Sequence, residues 1–451
     1  MLKTNAWKTW DDKEKERAFA FAEEYRKFIS LNKTERKFLE ASVKIARNSG
    51  FREISELKKI SPGDRIFKVN KNKQVVFGII GKEGMDLGAR FIVAHIDAPR
   101  LDLKPSPVYE DEGIAFFKTH YYGGIKKYQW LTIPLALYGV VVFKTGEKKI
   151  IEIGDNPGEP VFTITDLLPH LSKDQLKRTI EEGFPGENLN ILAATIPSKE
   201  EKEPVKNNLL SILDRTYGIK EDDLISSEFE MVPAGEAKDL GIDRSLILGY
   251  GQDDRVCSYA CFRALVEERN LEKSAFCVFV DQEEIGSYGS TSAQSTFLQF
   301  FLDEIAEKSG FKKNMRYVYE DSRAISADVS SLFDPGYKEA YDPRNTARIG
   351  HGVCVERTTG TRGKAGSTEP SAEYIAWIRR IFDEKKIHWQ PSEIGKVEQG
   401  GGGTVATFLA RLNIPTIDCG TGVISMHAPF EVTSKADVYS TYLAYSVFYA
   451  S

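Results

Sequence analysis

No stretch of this 451-residue chain approaches the roughly 18 uninterrupted apolar residues of a membrane-spanning helix, so no transmembrane segment is expected. The amino-terminal stretch is charged and has no apolar core, so it does not read as a secretory signal. A basic excess is also missing. The 61 Lys and Arg against 66 Asp and Glu leave a net charge of −5, which argues against a non-specific nucleic-acid binder. Cysteines number five, an odd count without framework spacing, which argues against a disulfide scaffold and points to reduced thiols in a cytoplasm. Cys257 and Cys261 lie in a helical pattern with no Cys or His at zinc-finger spacing, and read as buried helix residues. Internal repeats and low-complexity tracts are absent.

What remains is an ordinary globular composition in a chain too long for one compact core, so two domains are expected. Residues 12–48 carry apolar side chains at helical spacing and predict two helices broken near Ser30 and Asn32. VVFGII (75–80) and ARFIVAHIDAP (89–99) predict strands, the second buried on both faces. From 106 to 235 the texture becomes β-rich, with the polar run 199–208 read as a solvated loop or linker. Beyond 240, strands again alternate with helices. The fold class is therefore α/β, a mixed sheet flanked by helices, spanning 1–105 and 236–451, with the β-rich segment 106–235 inserted into it.

Acids and histidines gather at the ends of the predicted strands, where open α/β sheets bind ligands. His95 and Asp97 follow the run FIVA; alternation puts them on one face, where they are either a metal ligand with its orienting carboxylate or a solvated strand end. Asp253 and Asp254 open a helix, and helix capping is the better reading for at least one of them. Glu283 and Glu284 close the strand AFCVFV within DQEE; one could bind metal while the other activates water, or the segment is a plain polar turn. Asp328 ends RAISAD, and His427 follows IPTIDCG in SMHAPFE. Together these form a mixed imidazole and carboxylate set suited to zinc, cobalt or manganese, in which five ligands for two ions require one shared carboxylate. The glycine-rich run around Gly402 and Thr404 either lets a substrate approach the backbone closely or is simply a turn before a helix from 404. Arg357, Arg362 and Lys364 either attract an acidic side chain or form a solvated basic loop. His120, His351 and His388 read as ordinary, the last as a surface residue.

The ordered set AHIDAPRLDLKP (94–105), QDDRVCS (252–258), DQEEIGSYGS (281–290), SADVS (326–330), GGGGTVA (400–406) and SMHAPFE (425–431) resembles the M18 family, the aspartyl aminopeptidases, over most of the chain. The resemblance implies a two-metal aminopeptidase acting on peptide substrates. His95 and Asp328 would hold one ion, Glu284 and His427 the other, and Asp253 would bridge them. Glu283 would be the general base and then acid, with Asp97 behind His95. The resemblance also implies homo-oligomers, dimers made through the inserted domain assembling into a dodecamer. His170 would then reach toward a neighbouring active site, although a plain surface histidine reads equally well. Two departures bear on specificity. QDD stands where family members with acidic preference show LDN, and VERTTGTRGKAG (355–366) replaces their pocket lining. An N-acyl amino-acid deacylase of the same clan and a non-catalytic oligomeric binding protein are the competing readings.

Overall fold

The structure, a computed structural model, describes residues 4–451. Contacts divide the described residues into two compact units: one of residues up to 97, 237–426 and 431–451, the other of 98–236 with 427–430.

The first unit is built on a nine-stranded mixed sheet. Its order is Arg52–Glu53, Arg65–Asn70, Gln74–Ile79, Ser274–Val280, Ala89–His95, Arg323–Ser326, Thr416–Gly420, Val353–Glu356 and Trp389–Ser392. The strands Ser274–Val280, Ala89–His95, Arg323–Ser326 and Thr416–Gly420 run parallel to one another. Their carboxyl ends therefore share one edge. The near-continuous apolar run ARFIVA follows from burial on both faces. Ile92 and Ala94 pack with the helices Asp12–Leu31, Gln252–Glu267, Ala372–Glu384 and Lys435–Tyr449. Phe91 and Val93 pack on the other side, with the helix Phe297–Ser309 and Val405 and Leu409. A five-stranded sheet, Lys238–Leu240, Leu246–Gly249, Glu431–Ser434, Gly422–Ile424 and Ser330–Ser331, completes this unit.

The amino-terminal pair of helices forms as the sequence predicts, Asp12–Leu31 and Glu35–Asn48. His388 departs from its expectation as a surface residue. It is half-buried, with its Nε2 2.6 Å from Thr9 Oγ1 and its ring edge-on to Trp10. All five cysteines are buried and free, and Cys261 Sγ lies 3.4 Å from Cys277 Sγ.

The second unit carries a six-stranded sheet in the order Lys148–Ile153, Leu135–Val142, Ser227–Pro233, Arg100–Asp111, Ile114–Tyr122 and Ile191–Ala194. Every pairing in it is antiparallel. The run 199–208 is not all loop, because a helix begins at Pro204 and continues to Tyr217. Pro204 occupies the first turn, where its missing N–H costs nothing. The next two N–H groups are satisfied from a distant strand: Glu110 Oε2 accepts from Val205 N at 2.8 Å and Lys206 N at 2.9 Å.

Asp437, fully buried at the start of the last helix, accepts from Gly350 N and Gly352 N, each at 2.7 Å. Burial outweighs these two donors and raises its pKa from 3.8 to about 7. Its native form holds a proton that the unfolded form has lost, so this group's contribution to stability falls as pH rises between those values. Asp437→Asn should abolish that slope. The wild-type-minus-variant difference in urea unfolding free energy should change by at most about 4 kcal/mol across the interval. A difference that stays flat with pH would show that Asp437 is ionised in the native state throughout.

Candidate metal centre

Three of the predicted ligands come together within the first unit, at the shared carboxyl edge of the parallel strands. His95 ends the strand Ala89–His95, Asp253 sits in the first turn of the helix Gln252–Glu267, and Asp328 follows the strand Arg323–Ser326. One ligand atom from each lies within 4.8 Å of the others. His95 Nε2 is 3.3 Å from Asp253 Oδ1 and 3.8 Å from Asp328 Oδ1. Glu283 Oε2 stands 3.9 Å from the same nitrogen.

The other face of the His95 ring fixes its tautomer. Nδ1 lies 3.1 Å from the carbonyl oxygen of Asp97 and 3.4 Å from its Oδ1. A carbonyl can only accept, so Nδ1 carries a proton, and in the neutral ring Nε2 would turn its lone pair toward the acids. Asp97, fully buried, also accepts from Glu283 N and Glu284 N, each at 3.2 Å. One carboxylate thus ties the imidazole to the turn that carries both glutamates. That turn is demanding: Gln282, Gly286 and Ser287 all have positive φ. Its backbone closes on itself through Ser287 N to Gln282 O at 2.7 Å and Gly286 N to Glu283 O at 2.8 Å.

Neither Asp253 nor Asp254 caps its helix. The cap position is Gly251, and no side chain of its own bonds the first turn. Glu431 does that work from the far end of the sequence. Its Oε2 accepts from Gln252 N at 2.6 Å and Asp253 N at 3.1 Å, and its carbonyl accepts from Gln252 Nε2 at 2.6 Å. Asp253 is thereby left to point at His95. Glu431 was within the SMHAPFE motif, yet sequence reasoning gave it no role.

The electrostatics call for a cation. Burial would depress the pKa of His95, but the contacts with Asp253 and Asp97 and the charge of Glu283 outweigh burial and raise it well above 6.5. Asp328 and Asp254 are both pushed up, chiefly by burial, with their acidic neighbours adding to it and His95 opposing. Asp418, missed at the sequence level, lies behind Asp328 and is raised to about 6, mainly by burial. Buried acids at this density are stable only with a compensating positive charge. A divalent ion would supply it, and the nitrogen and oxygen donors fit zinc, cobalt or manganese.

Glu284, on the same turn as Glu283, offers a carboxylate oxygen within 4.8 Å of one of Asp253. His427 belongs by its contacts to the second unit, where Nδ1 is 2.9 Å from Gly124 O, which again leaves Nε2 as the acceptor nitrogen. His170 is exposed in the second unit. In the glycine run, Gly401 has φ +111° and a Cβ there would collide with Gly360 O, so close packing of the two loops requires glycine. Gly402 is open around its Cα, its carbonyl accepting from Gly360 N at 2.7 Å. The helix expected from Thr404 begins at Ala406, with Thr404 Oγ1 accepting from Ala406 N at 3.3 Å. Lys364 Nζ and Arg357 Nε lie 2.9 Å and 3.4 Å from one oxygen of Glu369.

The fold and this centre together define a metal-dependent hydrolase. The family model described as aminopeptidase I zinc metalloprotease (M18) matches residues 28–449. A probable M18 family aminopeptidase 1 of Clostridium acetobutylicum is 44% identical over 452 residues, 98% of this chain and 97% of its own. Another of that name from Borrelia garinii subsp. bavariensis is 45% identical over the whole of both chains. The crystal structure of an M18 family aminopeptidase from Thermotoga maritima covers 100% of both chains with a TM-score of 0.96 and 44% identity. The mApe1 dodecamer structure from Saccharomyces cerevisiae shares the fold, with a TM-score of 0.75 at 20% identity. This chain belongs to the M18 family of aminopeptidases, which are zinc metalloproteases.

Proposed function

We propose that the centre holds two divalent cations, most suitably zinc, and releases single residues from the free amino ends of peptides. The observation that carries this is the convergence of His95, Asp253 and Asp328 within 4.8 Å, with the Glu283 carboxylate 3.9 Å from the shared nitrogen. His95 and Asp328 would hold one ion, Glu284 and His427 the second, with Asp253 between them. Bound ions would acidify an attacking water and polarise the scissile carbonyl. Glu283 would take the proton from that water and return it to the leaving amine. Asp97 would keep the His95 proton on Nδ1 while fixing the backbone of Glu283 and Glu284.

Acidic side chains are those that Arg357, Arg362 and Lys364 would attract, and Glu369 offsets part of that attraction. Gly402 and Thr404 would border the substrate backbone. The dodecamer of the yeast relative supports homo-oligomeric assembly here; dimers made through the second unit, with His170 serving a neighbouring site, belong to the same reading. Five free, buried thiols suit a cytoplasmic setting, and no described helix is long and apolar enough to cross a membrane.

An aminoacyl-anilide panel (Asp, Glu, Leu, Met and Lys) tests this after loading with zinc, cobalt or manganese. We expect cleavage of free-amine substrates that a chelator abolishes and one of these metals restores, with Asp and Glu leading. Leu or Met in the lead would overturn the acidic preference alone. Hydrolysis of N-acetyl amino acids with none of the free-amine anilides would replace the aminopeptidase reading by a deacylase.

A further inference from the structure

The loop that carries Glu283 and Glu284 is held from two sides, and only one of them is Asp97. Its neck is closed where Asp281 N donates to Thr291 O at 3.0 Å and Thr291 Oγ1 donates to Asp281 Oδ2 at 3.1 Å. Asp281 is buried, 1% exposed. Behind the neck stands the turn between the strands Arg65–Asn70 and Gln74–Ile79, reversed by the left-handed residues Lys71 and Asn72. This turn grips the loop at several points. Asn70 Nδ2 donates to Ser290 O at 2.7 Å, and Lys71 Nζ donates to Ser290 Oγ at 2.6 Å. Gln74 Nε2 donates to Ser292 O at 3.2 Å and to Ser295 Oγ at 3.1 Å.

Lys73, in the same turn, reaches inward. Its Nζ is 3.0 Å from Glu35 Oε1 and 3.9 Å from Asp281 Oδ2, and its side chain is only 16% exposed. Glu35 is fully buried at the start of the helix Glu35–Asn48. One ammonium therefore lies against two carboxylates that have little access to water. Its removal would take a positive charge from beside both, making each costlier to keep buried and ionised. A displaced Asp281 carboxylate would give up its bond from Thr291 Oγ1 at the neck of the loop, two residues from Glu283.

We propose that Lys73 is a positioning residue for the hydrolysis, its ammonium drawing Asp281 and Glu35 together so that the loop 281–291 presents Glu283 and Glu284 in a fixed place. The inference rests on the roles given to those two glutamates above. The turn 70–74 then works as a rear clamp, complementing the hold of Asp97 on the metal side.

Two readouts on the metal-loaded protein test this. In Lys73→Met, amide exchange in peptides covering 281–295 should quicken about tenfold or more, while peptides of the helix Phe297–Ser309 keep wild-type rates. Turnover should fall about tenfold to a hundredfold with KM within about twofold and metal content unchanged. Lys73→Arg should restore most of kcat, because it keeps the charge. Should Lys73→Met fail to fold, Lys71→Met serves instead. It removes an exposed contact to Ser290 and should quicken exchange in 287–295 without altering the melting temperature. Wild-type exchange and wild-type kcat in the folded variant would overturn the proposal. Full activity in Glu283→Gln would instead remove the role of the loop and leave the exchange result to judge the clamp alone.

Discussion

Glu283→Gln should keep its full complement of metal and lose turnover by about 10²- to 10⁴-fold, the usual contribution of a positioned general base. The substitution exchanges one oxygen for an NH2 of nearly the same size. The backbone N–H of residue 283 still reaches Asp97, so the turn keeps its shape. What disappears is the ability to accept a proton from water and deliver it to the leaving amine. The loss should fall on kcat, with KM close to wild type, because the side chain is asked to act only in the transition state. Anilide hydrolysis with the metal content measured on the same sample decides the matter. A metal-loaded variant that turns over like wild type would remove Glu283 from the role of base.

Asp253→Ala should have the second large effect, and through a different cause. Asp253 lies 3.3 Å from His95 Nε2 and is the one carboxylate assigned to both ions. Its removal should take bound metal from the two ions per chain proposed above toward none at low free metal, and activity should fall with it. Excess metal should restore little, since an alanine offers no oxygen and the adjacent Asp254 is fully buried. Metal analysis after dialysis, alongside the melting temperature, separates loss of ligation from loss of fold. Retention of two ions per chain would show that the bridging assignment is wrong.

Much of this arrangement could be read before any coordinates. Near-continuous apolar runs in ARFIVAHID and AFCVFVDQEE marked buried strands ending in polar residues, and strand ends are where a parallel sheet collects a site. The positions of His95, Asp253 and Asp328 came from that pattern together with the family resemblance, and they meet in space. What stayed hidden shares one character: carboxylates that satisfy backbone N–H groups far away in sequence. Glu431 caps the helix of Asp253, Glu110 caps the helix from Pro204, and Asp97 holds the turn of Glu283. A local reading looks for a cap beside the helix, so it assigned capping to Asp253 or Asp254 and took 199–208 for loop. The link from Lys73 to Asp281 is likewise made by the pairing of Gln74–Ile79 with Ser274–Val280, which no local pattern announces.

That pairing has a consequence for how the chain is made. Gln74–Ile79 and Ala89–His95 are near neighbours in sequence, yet they do not touch as strands, because Ser274–Val280 lies between them. A nascent chain emerging from the ribosome cannot close the centre of this sheet until residue 280 is free. The antiparallel sheet of 98–236, by contrast, has all its strands as soon as residue 233 is out. Synthesis thus delivers every strand of the inserted sheet while the strand bearing His95 still waits for its partners. During that interval the apolar edges of 74–79 and 89–95 lie open, and it is then that the growing polypeptide most needs protection from aggregation.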